Sequence, residues 1–475
     1  MSKEVSESRM RKIRREVLRK AIPSEREKRE TLRFSEGLAE KLLRELEKAG
    51  FEAEVRVEGS IAKDTWLAGE KDIDLFTLIP ETYGREGLSK VLDIAKKVVG
   101  ENWLEAYAEH PYIQAKIEDF TVEFVPCFKL ERAEDVVSSV DRTPFHTLYV
   151  KNRLDPKAKD EIRLLKRFMR GIGTYGAEIK IGGFSGYLCE ILTLHHGSFL
   201  ELLKRASEWR EGEVIDPEGH YRGRKEEAQK IFPEPLVVVD PVDQGRNVAS
   251  AVRVDRLSEF IAASRMFLIK PNLHFFYPKE TRPFTVDELA RTIDSRGSAL
   301  IFLKTGGVRA VPDVLWGQLY RSQRALRNLM LQQGFTPIRD DVWSDEETVN
   351  IFVFEPYSRL PGLEKHLGPP IGKPKECDKF LEKHLRSKQR LSGPRIEEHR
   401  WVVERRRKYT DVADLLRSEL ADGGERIGVA SLISQAFKSS FEVWVNHEAQ
   451  EFYSKNAEFA SFLTEYLKGR PRWLR

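Results

Sequence analysis

The stretch VEGSIAKDTWLAGEKDIDLF, residues 57–76, ends an alternating run in Gly59-Ser60. After eleven intervening residues it places Asp72 and Asp74 two positions apart. FEAEVRVEG (51–59) alternates apolar and charged residues and reads as a half-buried strand. Along a strand, residues two apart share a face, so Asp72 and Asp74 point one way while Ile73 and Leu75 enter the core. Two anions in such proximity stay ionised only if a cation compensates them. In DFTVEFVPCF (119–128), another predicted strand, Glu123 stands alone in polarity between Val122 and Phe124. If the two strands pair, three carboxylates meet on one patch. Oxygen-only ligands favour Mg²⁺ or Mn²⁺, and two such ions about 4 Å apart suit phosphoryl or nucleotidyl transfer. Gly59-Ser60, at the start of a predicted helix, offers N–H groups and a hydroxyl to a phosphate, and Lys63 adds charge one turn on. Either half alone is ordinary, since Asp-x-Asp recurs by chance in loops and Gly-Ser is a common cap. Together they point to a catalytic centre.

The 475 residues, 40% of them hydrophobic, are enough for three or four packed domains and exclude a disordered or fibrous chain. No window approaches a membrane-spanning helix, and MSKEVSESRMRKIRREVLRK lacks a signal peptide's apolar core, which predicts a cytoplasmic protein without a membrane partner. Cys127, Cys189 and Cys377 lie far apart without CxxC spacing, which argues against a disulfide framework and a zinc site. The net charge is only +4, yet basic residues cluster in RMRKIRREVLRK (9–20), RSKQRLSGPR (386–395), VERRRKYT (403–410) and KGRPRWLR (468–475). One such cluster is ordinary helix surface; several favour a polyanion-binding face.

Helices are expected over residues 3–49, broken near IPSE with Ser24 as a cap, and over 160–169, 186–209 and 257–268. LVVVDP (236–241) reads as a strand. From Pro278 a new pattern begins: strand SALIFLK, helix 315–334, then TPIRDDVW and VNIFVFEP as an antiparallel pair. The Pro/Gly-rich segment 360–376 is expected to end that module, with mostly helical, basic sequence after it.

Longer motifs carry a resemblance. YAEHPYIQAKI (107–117), VEFVPCFKL (122–130), SSVDRTPFHTLYV (138–150), IRLLKRFMRGIGTYGAEIKIGGFSGYLCEIL (162–192) and VVDPVDQGRNVAS (238–250) resemble the archaeal-type, class I CCA-adding tRNA nucleotidyltransferases of the polymerase-β-like superfamily. IPSEREKRE and RWVVERRRKYT are similar to that family too. The resemblance implies an α+β multidomain fold. It would comprise a nucleotidyltransferase head (1–155), a helical, nucleotide-reading neck (156–275), a body (276–312 and 385–475) and a small α+β tail (313–384), the last two binding tRNA. It implies addition of C, C and A to tRNA without a template, from CTP and ATP, with pyrophosphate released. Asp72, Asp74 and Glu123 would then hold two Mg²⁺ ions, with Mn²⁺ as a substitute. The third acid is aspartate in that family, so Glu123 is more secure as a ligand than as a base. Ser60, Lys63 (arginine in the family), His146, Lys166 and Tyr175 would bind the nucleotide, and Arg246 would help choose C or A. The partners would be the tRNA acceptor stem and T arm, and a homodimer is compatible.

Without the resemblance, His146 would read as a cap or surface residue, Lys166 as solvated and Tyr175 as packing. His195-His196 read as structural, and His110, beside Glu109, is a weak site candidate. Two other functions fit the head alone: a poly(A) polymerase or other terminal RNA nucleotidyltransferase, and an inert RNA-binding protein of the same fold. The three retained acids and Ser60 weigh against the inert form.

Overall fold

A computed structural model describes residues 3–107, 111–136, 138, 140–357 and 359–474; Glu109 and His110 lie outside them. The chain divides into two compact units, residues 3–280 with 471–474, and residues 281–470.

The first unit begins with α1 (Lys3–Ala21) and α2 (Glu25–Lys48), and Ser24 caps α2 by accepting from Glu27 N–H. Next come β1 (Glu54–Val57), the short α3 (Gly59–Lys63), β2 (Asp72–Ile79), α4 (Gly84–Val99), β3 (Trp103–Tyr107), β4 (Pro111–Ile117) and β5 (Phe120–Phe128). The five strands form one sheet in the order β1-β2-β5-β4-β3, in which β2 and β5 run parallel. Ile73, Leu75, Val122 and Phe124 fill the face covered by α2 and α4. On the opposite face Phe76, Leu78, Val125 and Cys127 form a second buried cluster, and Asp72, Asp74 and Glu123 precede it at the strands' other end.

Helices α5 (Thr143–Lys151), α6 (Pro156–Ile172), α7 (Gly186–His196) and α8 (Phe199–Ala206) follow, then β6 (Glu213–Ile215), α9 (Lys225–Ile231), β7 (Leu236–Asp240), β8 (Asp243–Asn247) and α10 (Val254–Ile269). Buried Phe168 of α6 meets Phe199, Phe267 and Phe276 edge-on at 5.4–5.5 Å, the offset that aromatic quadrupoles prefer. Ile13 and Val17 of α1 belong to this same core, so α1 packs with the neck and not with the head expected at 1–155. The neck is also not wholly helical, since β6, β7 and β8 form a small sheet. Trp473 stacks on Phe275 at 5.4 Å and donates to Glu259, so the chain's last described residues also depart from the expected body.

The second unit contains α11 (Val286–Asp294), β9 (Ile301–Gly306), α12 (Pro312–Gln332), β10 (Pro337–Ser344) and β11 (Val349–Pro356). Then come β12 (Leu363–Pro370), α13 (Pro374–Leu385), β13 (Arg390–Glu397) and β14 (Arg400–Arg406), followed by α14 (Val412–Glu419), α15 (Ser431–Ser439), β15 (Phe441–Val445), α16 (Gln450–Lys455) and α17 (Ala457–Lys468). β10 and β11 do pair antiparallel, but they share one sheet with β9 and β15, in the order β10-β11-β9-β15. Helices bury both faces of it: Phe352 and Phe354 point into one core, Ile351 and Val353 into the other.

A tail at 313–384 is therefore corrected. Residues 313–356 belong to the four-stranded sheet, and the separate small module is β12-β14-β13 with α13, residues 363–406. The expected helical run after 376 is corrected as well, since two strands occupy most of 390–406. Their charged, partly exposed positions hide the alternation, and the prolines of LGPP are tolerated because β12 is an edge strand.

Candidate active site

Parallel pairing sets Asp74 beside Glu123 in exact register, and Asp72, two residues earlier, shares their face. Gly59 lies against this pair. Its φ is +66°, and a Cβ built there would fall 1.8 Å from Asp74 Oδ2, so both backbone and space demand glycine. Glu58 ties the turn to the strand by donating its N–H to the Asp74 carbonyl at 2.9 Å. Its own side chain is buried, with one carboxylate oxygen unpartnered. Arg163 of α6 fixes the end of α3, donating to Asp64 Oδ1 at 2.6 Å and to the Trp66 carbonyl at 3.1 Å. Ser60 stays half-buried in the first turn of α3.

The three acids lack compensation. Burial pushes the Asp74 carboxyl up to about 7, and Glu123 adds to the rise, which Lys63 only partly offsets. Burial also raises Glu123 and Asp72. Gln114 of β4 donates to Glu123 Oε1 at 3.0 Å. Among the described residues no three His, Cys, Asp or Glu side chains close on one point. The donor set still suits a hard divalent cation: all its ligands are oxygens, they share one face, and their raised pKa values mark an unmet need for positive charge.

Beside this face stand two buried acids that sequence reasoning passed over. Glu190 of α7 accepts from Lys63 Nζ at 2.5 Å, from Thr65 Oγ1 at 2.5 Å and from Lys166 Nζ at 3.1 Å. Burial alone would raise Glu190, but the two lysines overrule it and hold the carboxyl at about 2. Lys166, 0% exposed, donates as well to the Thr65 carbonyl at 3.2 Å and to Thr65 Oγ1 at 3.1 Å. Its three N–H groups are thus committed within the protein, which leaves its charge and no spare N–H to face the site. Tyr175 arrives at the same place: a Cβ on Gly186 would lie 3.2 Å from Tyr175 Oη and 3.6 Å from Lys166 Nζ. Gly186 opens α7, whose N-cap Ser185 accepts from Leu188 N–H, so the positive end of that helix adjoins Lys166 and Tyr175.

Asp240, the last residue of β7, gathers the other pair. His146 Nε2 lies 2.9 Å and Arg246 Nη1 2.6 Å from Asp240 Oδ2, while Tyr187 Oη donates to Oδ1 at 3.4 Å. Burial lowers the His146 pKa, so the ring is neutral near pH 7. A carboxylate can only accept, which assigns the proton to Nε2. His146 also stacks on Tyr187, with centroids 4.1 Å apart. It is held at the start of α5 because Asp141 accepts from Phe128 N–H and Ser138 N–H, fixing the preceding turn.

The sequence-derived residues thus fall into three groups: Asp72, Asp74, Glu123 and Ser60 at the strand face, Lys63, Lys166 and Tyr175 around Glu190, and His146 with Arg246 on Asp240. His195 and His196 join none of them; burial takes His196 down to about 4, which agrees with a structural role.

Comparisons with known proteins agree along the chain. Residues 39–146 match the nucleotidyltransferase domain family, residues 160–277 the second domain of tRNA nucleotidyltransferase, and residues 296–446 the C-terminal domain of CCA-adding enzymes. A CCA-adding enzyme of Methanothermobacter thermautotrophicus is 36% identical over 95% of this chain and 97% of its own length. Those of Methanosarcina barkeri and Pyrobaculum islandicum are each 36% identical, over 90% and 89% of this chain and 93% and 96% of their own. Among solved structures, a cytoplasmic RNA terminal U-transferase matches with 16% identity and a TM-score of 0.43, over 55% of this chain and 94% of its own.

Proposed function

The chain belongs to the archaeal-type CCA-adding enzymes of the nucleotidyltransferase superfamily, which complete tRNA 3′ ends without a template, and on that premise we propose how its own residues divide the work. Asp72, Asp74 and Glu123 hold the divalent cations, as two Mg²⁺ ions or Mn²⁺ in their place. Bound there, such ions lower the pKa of the attacking RNA 3′-hydroxyl and neutralise the triphosphate. The observation that carries this reading is the register of Asp74 with Glu123 beneath Gly59, a position that leaves room for a carboxylate and for no side chain.

Ser60 and Lys63 from the head, with Lys166, Tyr175 and the α7 N-terminus from the neck, receive the phosphates of CTP or ATP. Lys166 and the α7 N-terminus are fixed before the nucleotide arrives, so they reorganise little during the reaction. The 3′-hydroxyl attacks the α-phosphorus and pyrophosphate leaves toward the lysines. Arg246, aimed by Asp240 and backed by neutral His146, presents N–H donors to the base edge and so helps choose C or A. The basic segments at 386–395 and 403–410, on and beside β13 and β14, grip the acceptor stem and T arm through phosphates and 2′-hydroxyls. No helix among the described residues is long and apolar enough to cross a membrane, and tRNA completion fits a cytoplasmic enzyme.

The test supplies full-length protein, Mg²⁺ and a tRNA transcript ending at the discriminator base with CTP and ATP, singly and together. Three added residues, CTP being required before ATP, are expected. A long ladder from ATP alone would instead make the enzyme a poly(A) polymerase.

A further inference from the structure

Lys63 and Lys166 share Glu190 unequally. Lys166 spends its three N–H groups on Thr65 O, Thr65 Oγ1 and Glu190 Oε1, and is 0% exposed. Lys63, 6% exposed, has one hydrogen bond among the described residues, 2.5 Å to Glu190 Oε2, and its Nζ lies 5.8 Å from the Tyr187 ring centroid. An ammonium group carries three donors, so two of Lys63's remain unspent. Glu190 is itself anchored on its other oxygen by Thr65 and Lys166. Two ammonium groups on one carboxylate leave these three side chains with a net charge of +1, which Asp74 and Glu58 also feel through Lys63. Once divalent cations neutralise the acid face, that charge is available to a further anion.

We propose that Glu190 is a displaceable counter-anion: Lys63 leaves it for a phosphate of the incoming nucleotide and returns to it as pyrophosphate departs, with Lys166 and Thr65 holding Glu190 in place throughout. Glu190 is then a positioning residue that competes with the product for Lys63. It weakens nucleotide binding and in exchange speeds pyrophosphate release, so that the site is cleared between successive additions. This rests on the reading that Lys63 receives phosphate.

The experiment titrates pyrophosphate, with Mg²⁺ at constant ionic strength, into full-length wild type, Glu190→Gln, Lys63→Met and the double variant. In parallel it follows CTP addition and its inhibition by pyrophosphate. Loss of a competing charge at this range in a buried site is expected to tighten pyrophosphate binding by about tenfold in Glu190→Gln. The nucleotide KM and kcat should fall together, with stronger product inhibition. In the double variant the tightening should vanish. A merely structural Glu190 predicts the opposite: weaker pyrophosphate binding and a higher KM, and either weaker or unchanged binding overturns the proposal. If Lys63→Met leaves pyrophosphate affinity unchanged, the phosphate reading of Lys63 fails instead, which separates the two failures. Should Glu190→Gln not fold, Glu190→Asp keeps the charge but draws it back from Lys63. A smaller tightening is expected there, and none would count against the proposal.

Discussion

Two kinds of acid sit in the first unit, and their surroundings are opposite. Glu190 and Asp240 are buried, each is met by three hydrogen-bonding side chains, and both carboxyls lie below their ordinary pKa, although burial opposes this. Asp72, Asp74 and Glu123 share one face with little compensation, and all three lie above it, with burial the leading cause. The first pair of acids is complete within the protein and gathers Lys63, Lys166 and Arg246 around it. The second set is complete only with something the chain does not contain. A region rich in cationic groups thus adjoins a region short of them, and a triphosphate carrying divalent metal, as proposed above, would answer both. The charge left unbalanced by each cluster, more than the contacts inside it, says what belongs there.

The contrast breaks most sharply at the uncompensated end. Asp74→Ala should lower the rate of CTP addition by at least about 10³-fold, the scale on which essential electrostatic groups act. Binding of tRNA, measured by filter retention, should stay nearly intact; loss of binding in step with activity would count against a metal-holding role. Gly59→Ala leaves every candidate ligand in the sequence but sets a Cβ 1.8 Å from Asp74 Oδ2. Displacing a reacting group by an ångström costs about 10²-fold, so single-turnover addition should fall by that order. The melting temperature should fall too, because the left-handed backbone at φ +66° costs a non-glycine residue about 1–2 kcal/mol.

The uncompensated face was the legible one, and for a physical reason. Asp72, Asp74 and Glu123 alternate with apolar Ile73, Leu75, Val122 and Phe124, so each betrays itself against its immediate neighbours. Glu190 in LCEIL and Asp240 in VVVDP also interrupt apolar runs, but their partners lie 127, 24 and 94 positions away, where no local pattern reaches. The five-stranded sheet could be outlined from β1, β2 and β5, whose alternation is clean. The strands at 390–406 could not, because exposed arginines and glutamates fill positions that elsewhere alternate. Helix α1 was visible as a helix, while its partner α6 was invisible, since an apolar stripe says that a face is buried and not against what.

At the compensated end, acid should expose the pairing. The Glu190 carboxyl, at about 2 when folded and 4.5 ordinarily, contributes stability that is present above the ordinary value and lost as pH falls from 4.5 toward 2. The contribution is of order 3 kcal/mol at most, from 1.36 kcal/mol per pKa unit. In urea melts the stability gap between wild type and Glu190→Gln should narrow between pH 6 and pH 3. A gap that does not move with pH would mean that Glu190 is not ionised in the fold.

The smallest effect is expected at the proposed boundary between phosphate-holding and base-reading groups. Arg246 donates to Asp240 Oδ2 through Nη1 and is about a third exposed at its side chain, so the guanidinium is accessible to a ligand. Asp240 can aim the guanidinium without consuming it, because one of five donors is spent there and His146, a donor through Nε2, competes for the same carboxylate rather than for Arg246. Arg246→Ala should therefore change the ratio of CTP to ATP use by about 10- to 100-fold, the range of one good bidentate base contact, while pyrophosphate affinity shifts little. If addition of both nucleotides and pyrophosphate binding fell together, Arg246 would belong with Lys63 and Lys166 as a phosphate cation. The division between a base-reading group on Asp240 and a phosphate group on Glu190 would then collapse into one electropositive surface.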